Sequence, residues 1–146
     1  WMILNPNHTE INVEDEQKDA ASVLHYYKKL IALRKNPEYA DALVEGRFVP
    51  ADAYMEEHPD VFAFYRAGGS QQVLVISNWG KQRVTVPVKE DGTLEKLLDS
   101  FDFADDDCSG GTENNKDVCR SIAEETVNSR SIVLESGQIC IYSVKK

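Results

Sequence analysis

The chain has 146 residues, of which 42% are apolar and 28% charged, with 25 acidic against 16 basic side chains for a formal charge of −9. That composition suits one globular domain, or a domain with an appendage, with enough Val, Ile, Leu and aromatic residues for a single core. The acidity argues against nucleic acid and anionic lipid as partners, since both need clustered Lys and Arg, and no apolar run approaches the ~18 residues of a membrane span.

Residues 1–19, opening WMILNPNHTEINVEDE, show no sustained periodicity and read as a loop. A loop of this kind, starting on Trp and then Met, is expected to be the interior of a longer polypeptide, so the lack of a signal-peptide layout says nothing about targeting. From Ser22 the pattern changes. In SVLHYYKKLIALRKN, residues Val23, Tyr26, Tyr27, Leu30, Ile31 and Leu33 recur mostly at spacings of three and four, which predicts one amphipathic helix. Asp19 or Ser22 can cap it; Lys28, Lys29, Arg34 and Lys35 complement its dipole; Pro37 stops it by pushing Asn36 out of the α region.

A short helical turn over 38–43 follows, and then the period becomes two. Strands are predicted over 46–50 (GRFVP) and 61–66 (VFAFYR), separated by a polar stretch at 52–60. Gly68-Gly69 predicts a tight hairpin with positive φ angles, leading into 73–78 (VLVISN), a strand suited to burial on both faces. Further strands are expected over 83–88, where Pro87 fits an edge, over 93–99, and in a terminal hairpin joining 131–134 to 138–144. Short strands punctuated by turns predict a mainly β fold, an antiparallel Greek-key-like β-sandwich preceded by a loop and one helix. Residues from about 100 to 130 are acidic and rich in Gly and Asn, and read as an insertion on the sheet's rim.

NPNHTEINVEDE followed by SVLHYYKKLIALRKNPEY resembles the segment after the last barrel strand in α-glucosidases of glycoside hydrolase family 13, the maltase and oligo-1,6-glucosidase branch. The matching positions are Trp1, Asn5, Pro6, Asn7, Ile11–Glu14, His25–Ile31 and Leu33–Pro37, with His8 standing where that branch carries Tyr. DVFAFYR, QQVLVISNW and LESGQICIYSV are similar, more loosely, to the family's C-terminal β-domain. The resemblance implies that residues 1–37 end a (β/α)8 catalytic barrel and that 38–146 form the β-domain. The expected partners are therefore the parent's catalytic barrel and, through it, an oligosaccharide substrate. It also implies that the nucleophilic Asp, the general-acid Glu and the third carboxylate lie upstream of Trp1, so no catalytic residue and no cofactor is expected here.

Each remaining chemical candidate has a plainer reading beside it. Asn5, Asn7 and His8 either line the mouth of the parent's sugar cleft or simply form a turn. Asn7-His8-Thr9 also fits the N-glycosylation pattern, although a glycan at a cleft mouth would obstruct it. Glu10, Glu14, Asp15 and Glu16 read as a solvated approach to the helix rather than a catalytic pair. Trp79 or Tyr65 could stack on sugar rings, or else lid the core. Tyr26 and Tyr27 are expected to face the barrel wall.

Asp105, Asp106, Asp107, Ser109 and Gly110 copy the front of a calcium loop, but Lys116 occupies the position of the required bidentate Glu. His25 and His58 lack further ligands at metal spacing. Three cysteines, Cys108, Cys119 and Cys140, cannot all pair, so cytoplasmic thiols are favoured over a secreted chain with a Cys108–Cys119 bridge. Two other readings stay open: a stand-alone carbohydrate- or protein-binding β-module, and a non-catalytic glucosidase-like subunit.

Overall fold

Local capping decides where the helices begin. The structure, a computed structural model, describes residues 3–69, 71–101 and 130–145. The opening loop contains more order than its sequence predicts: a 3-10 turn at Pro6–Thr9 and a one-turn helix α1 at Val13–Glu16. Asn12 caps α1 by accepting from the Asp15 amide, and its own amide donates back to the Asp15 carboxylate. Helix α2 spans Val23–Lys35, as the stripe predicts, with Ser22 as its N-cap. Ser22 Oγ also donates to the Glu16 carbonyl at 2.7 Å, and Glu16 accepts from the Leu24 amide at 3.0 Å. These bonds tie α1 to the start of α2.

The helical turn expected at 38–43 lies slightly later and is wider, a π-helical turn at Asp41–Glu45. Next come β1 (Arg47–Pro50), a one-turn helix α3 (Asp52–Met55) and β2 (Val61–Ala67), followed by β3 (Gln72–Asn78) and β4 (Val84–Pro87). The last described elements are β5 (Thr93–Asp99), β6 (Ser131–Leu134) and β7 (Ile139–Lys145). Helix α3 falls in the stretch read as polar, where Tyr54 is fully buried.

The strands form two antiparallel sheets, one of five strands in the order β1-β2-β3-β7-β5 and one pairing β4 with β6. Alternation along β3 and β7 sorts their side chains onto two faces. Leu74, Ile76, Cys140 and Tyr142 face the small sheet and join Val86, Ile132, Leu134, Ala63 and Tyr54 in the main core. Val73 and Ile141 face the other way, with Tyr39 and Ala42, and there Leu30 and Leu33 of α2 cover them. The five-stranded sheet is thus a middle layer. In β5 the register shifts between Lys96 and Leu98, a bulge that leaves both Leu97 and Leu98 against the α2 side.

Two expectations need correction. Residues 131–134 and 138–144 do not form a hairpin, because β6 pairs with β4 while β7 pairs with β3 and β5. The Glu135–Gln138 turn carries the chain from one sheet to the other, and Gly137 there has φ 77°. Gly68 and Gly69 do not take positive φ. Gly68 is required for a different reason: a Cβ on it would lie 2.6 Å from the backbone of Asp41 and Ala42, so the π-helical turn could not close onto β2.

The acid Glu90, between β4 and β5, accepts hydrogen bonds from both the Tyr54 and Tyr65 hydroxyls. Tyr54 Oη in turn accepts from the Lys89 amide at 3.1 Å. This clasp joins α3, β2 and the β4–β5 connection at the open edge of the core. Hydrogen bonds to charged groups contribute about 1.5–3 kcal/mol each. Tyr54→Phe is expected to lower unfolding free energy in urea by an amount in that range. Adding Tyr65→Phe should cost more than the sum of the single changes, because the carboxylate then loses every tyrosine partner. Simple additivity would contradict the shared clasp.

Candidate functional site

The opening loop brings Asn5, Asn7 and His8 into one turn. The Asn5 side chain accepts from the Asn7 amide at 3.3 Å, and His8 Nδ1–H donates to the Asn5 carbonyl at 2.9 Å. The Asn7 carbonyl accepts from the amides of Glu10 and Ile11, and the Asn12 side chain donates to the His8 carbonyl at 3.2 Å. All three residues are exposed. The hydrogen bonds of Asn5 and His8 close the turn itself, and Asn7 presents its side chain outward beside them.

The neighbouring acids serve helix ends. Asp15 is held below the usual carboxylate range by the Asn12 hydrogen bond first and by Lys18 second, with Lys18 Nζ 3.0 Å away. Glu16 holds the Leu24 amide. His25 belongs to the α2 cap, its Nδ1 lying 3.0 Å from Ser22 Oγ. Tyr26 and Tyr27 part company. Tyr27 is 59% exposed, whereas Tyr26 is half-buried on the sheet side, where burial first and the nearby Cys140 and Asp99 next push its hydroxyl pKa up.

A second feature lies at the end of β3. Trp79 is 75% exposed, the only tryptophan among the described residues, and it is fixed. Its indole N–H donates to Ser77 Oγ at 2.9 Å, and its backbone amide donates to the Asp60 carbonyl at 2.8 Å. Beside it opens a groove of about 560 Å³ lined by His58, Asp60, Asn78, Lys81 and Arg83 among others. Its floor is the turn after β3. There Asn78, 2% exposed, donates to the carbonyls of Gln82 and Leu134 and accepts from the Gly80 amide. Nothing in the sequence distinguished this Trp from a core lid except its place before a Gly turn. Tyr65, the other aromatic offered for stacking, is committed to Glu90.

Under the five-stranded sheet's end lies a third cluster, closed to solvent. Asp99, 2% exposed, accepts from Gln138 Nε2 at 2.8 and 2.9 Å, from the Phe101 amide and from Lys96. Beside it sits the buried thiol of Cys140. Among the described residues no three His, Cys, Asp or Glu side chains form a metal-binding group, and no helix is long and apolar enough to cross a membrane.

Known proteins place this architecture. Residues 1–46 match the profile of the alpha amylase catalytic domain, and residues 53–145 match that of the alpha amylase C-terminal all-beta domain. The chain belongs to the alpha-amylase family. Within that family, glycoside hydrolase family 13, it is similar to the oligo-1,6-glucosidases, as the resemblance of its opening loop and helix implies. It is 46% identical over 83 residues to a probable oligo-1,6-glucosidase 2 of Bacillus subtilis, covering 57% of this chain and 14% of that protein. The oligo-1,6-glucosidase of Bacillus cereus is 36% identical over 105 residues, 70% of this chain and 18% of that one. The chain therefore spans under a fifth of the length of these relatives. Among solved structures, the trehalulose synthase MutB of Pseudomonas mesoacidophila MX-45 superposes over 99% of this chain and 22% of its own, with a TM-score of 0.70 and 25% identity.

In this alpha-amylase family member, Cys108, Cys119 and the calcium-like loop at 105–116 lie outside the described residues. Cys140 does not, and its chemistry is set by burial. Burial first, and the Asp99 carboxylate next, push its thiol from an ordinary 9.0 up to about 12. A thiol kept protonated in the fold gives stability that is full below pH 9 and is lost as pH climbs towards 12. The buried hydroxyl of Tyr142, raised chiefly by desolvation, acts in the same direction. Urea midpoints measured from pH 8 upward should fall steadily past pH 9, and Cys140→Ala should make that fall shallower. Identical slopes for the two proteins would show that the thiol does not contribute.

Proposed function

We propose that this chain is the C-terminal portion of a retaining α-glucosidase acting on α-1,4- and α-1,6-linked gluco-oligosaccharides, and that it braces the catalytic barrel without carrying out catalysis. Residues 1–37 would be the barrel's last loop and helix, and 38–146 its β-domain. The observation that carries this reading is the side of the five-stranded sheet covered by α2. Leu30 and Leu33 lie against the sheet, yet Val23, Tyr27 and Ile31 are left 64, 59 and 51% exposed on the same helix. Cross-strand partners point to one face, so Phe48, Phe62 and Phe64 lie on that same side through Arg66–Val73, Ser77 and Val75. Phe48 and Phe62 are 50 and 46% exposed. A soluble domain that keeps this much apolar surface on one side is built to have it covered. Covering such side chains fully contributes roughly 1.5–3 kcal/mol each, ample to hold a barrel wall in place.

The engagement of several of its carboxylates supports inactivity of the chain itself. Retaining chemistry needs a nucleophile and a general acid about 5–5.5 Å apart, the acid with a raised pKa. Asp15 is instead held low by Asn12 and Lys18, Glu16 is engaged with the Leu24 amide, and Asp99 and Glu90 are bound into structural clasps. In the parent, Asn5, Asn7 and His8 would sit at the rim of the sugar cleft, where loops after barrel strands collect. Purified to homogeneity, the chain is expected to release no nitrophenol from p-nitrophenyl α-glucoside and no glucose from isomaltose or maltose. Hydrolysis that co-purifies with the chain and disappears on substituting one of its own acids would overturn the proposal.

A further inference from the structure

The groove at Trp79 lies at the end of β3, lined by residues 58–61 and by the turn that follows Asn78. We infer that it is an accessory binding site for α-gluco-oligosaccharide, with the Trp79 indole as the platform on which a sugar ring stacks. The substrate class rests on the α-glucosidase reading above; the site itself rests on the geometry alone.

Three features point to a sugar. The indole is exposed over three-quarters of its surface, yet its one polar atom is already satisfied by Ser77 Oγ at 2.9 Å. What remains available is an apolar ring, the surface that the C–H face of a pyranose covers. The ring is also held in advance. Its backbone amide is bonded to Asp60, the Asn78 side chain holds Gly80 and Gln82 after it, and Ser136 Oγ donates to the Gly80 carbonyl at 2.8 Å. A ligand would therefore lose little affinity to the ordering of its platform. Finally, the groove beside the ring is of ligand size, about 560 Å³ against a usual range of about 300–1,000 Å³. Its lining includes Asp60 and Lys81, side chains able to accept from and donate to sugar hydroxyls.

The glycine after the platform also fits. A Cβ on Gly80 would lie 2.9 Å from Asp60 Oδ2 and 3.1 Å from Asn78 Oδ1, so the turn after Trp79 packs closely on these oxygens. A partner protein could also cover an exposed Trp, but a flat apolar contact does not need a groove lined by a carboxylate and an ammonium.

The test uses the whole 146-residue chain. The indole N–H resonance of Trp79, identified by its absence from Trp79→Ala, is followed during titration with isomaltotriose, panose and, separately, cellotriose. Saturable shifts with the α-linked sugars are expected, weakened at least tenfold in Lys81→Ala, with an unchanged far-ultraviolet spectrum, and calorimetric titration of Trp79→Phe should show a loss of the same size. A ring this exposed can be replaced without touching the core, and Lys81→Ala retains the ring should Trp79→Ala fail to fold. No saturable shift with any sugar overturns the site and leaves the α-glucosidase reading intact. A response to cellotriose alone overturns the α-glucan assignment and weakens that reading with it. Concentration-dependent association abolished by Trp79→Ala, without sugar binding, overturns the site in favour of a protein interface.

Discussion

The rest of the structure depends on one constraint: β3 and β7 are apolar on both faces, so the five-stranded sheet must be covered twice. One cover comes from β4 and β6, which close the main core over Leu74, Ile76, Cys140 and Tyr142. The other comes from the segment before the sheet, through Leu30 and Leu33 of α2 and Tyr39 and Ala42 of the turn after it. Neither cover is a stable unit by itself, since a thirteen-residue helix and a two-stranded ribbon are both marginal in water. The sheet therefore joins the part of the chain that matches the amylase catalytic domain to the part that matches its C-terminal domain.

The chain passes between the two sheets four times, and two of these crossings, after β3 and after β6, lie side by side. This pair strands polar backbone near the core, and two buried amides deal with it. Asn78 takes the carbonyls of Gln82 and Leu134, while Gln138 Nε2 donates to both carboxylate oxygens of Asp99 and Oε1 accepts from the Glu135 amide. The crossings meet, since the Asn78 amide donates to the Gln138 carbonyl at 3.0 Å and the Gly137 amide to the Asn78 carbonyl at 2.9 Å. Removing one member would leave a buried group unpaired, which costs more than the bond it made. The rigidity of this junction also sets Trp79 at a fixed angle on the surface.

How much of this the sequence carries depends on the range of the interaction. Helix α2 was legible because a stripe, a serine cap and a terminal Asn-Pro all agree within fifteen residues, and the strands were legible from alternation. The terminal pair β6 and β7 misled because a Glu-Ser-Gly turn between two apolar runs looks alike whether the runs pair with each other or enter different sheets. Gly68 misled similarly: its need is set by the backbone of Asp41 and Ala42, far upstream. Helix α3 was hidden by its polar flanks, with Tyr54 anchoring it through a carboxylate 36 residues away. The platform at Trp79 is a matter of exposure, and exposure cannot be read from residue type.

Family membership and architecture thus converge on a member of the alpha-amylase family whose two matched segments are held together by one sheet. The measurement that tests this most directly is native-state amide exchange on the intact chain under increasing denaturant. If α2 is the second cover of the sheet, the amides of Leu30 and Leu33 should open together with those of Val73 to Ile76, with the same free energy and the same denaturant dependence. Exchange of α2 at the rate of an unstructured peptide, while β3 stays protected, would contradict the account.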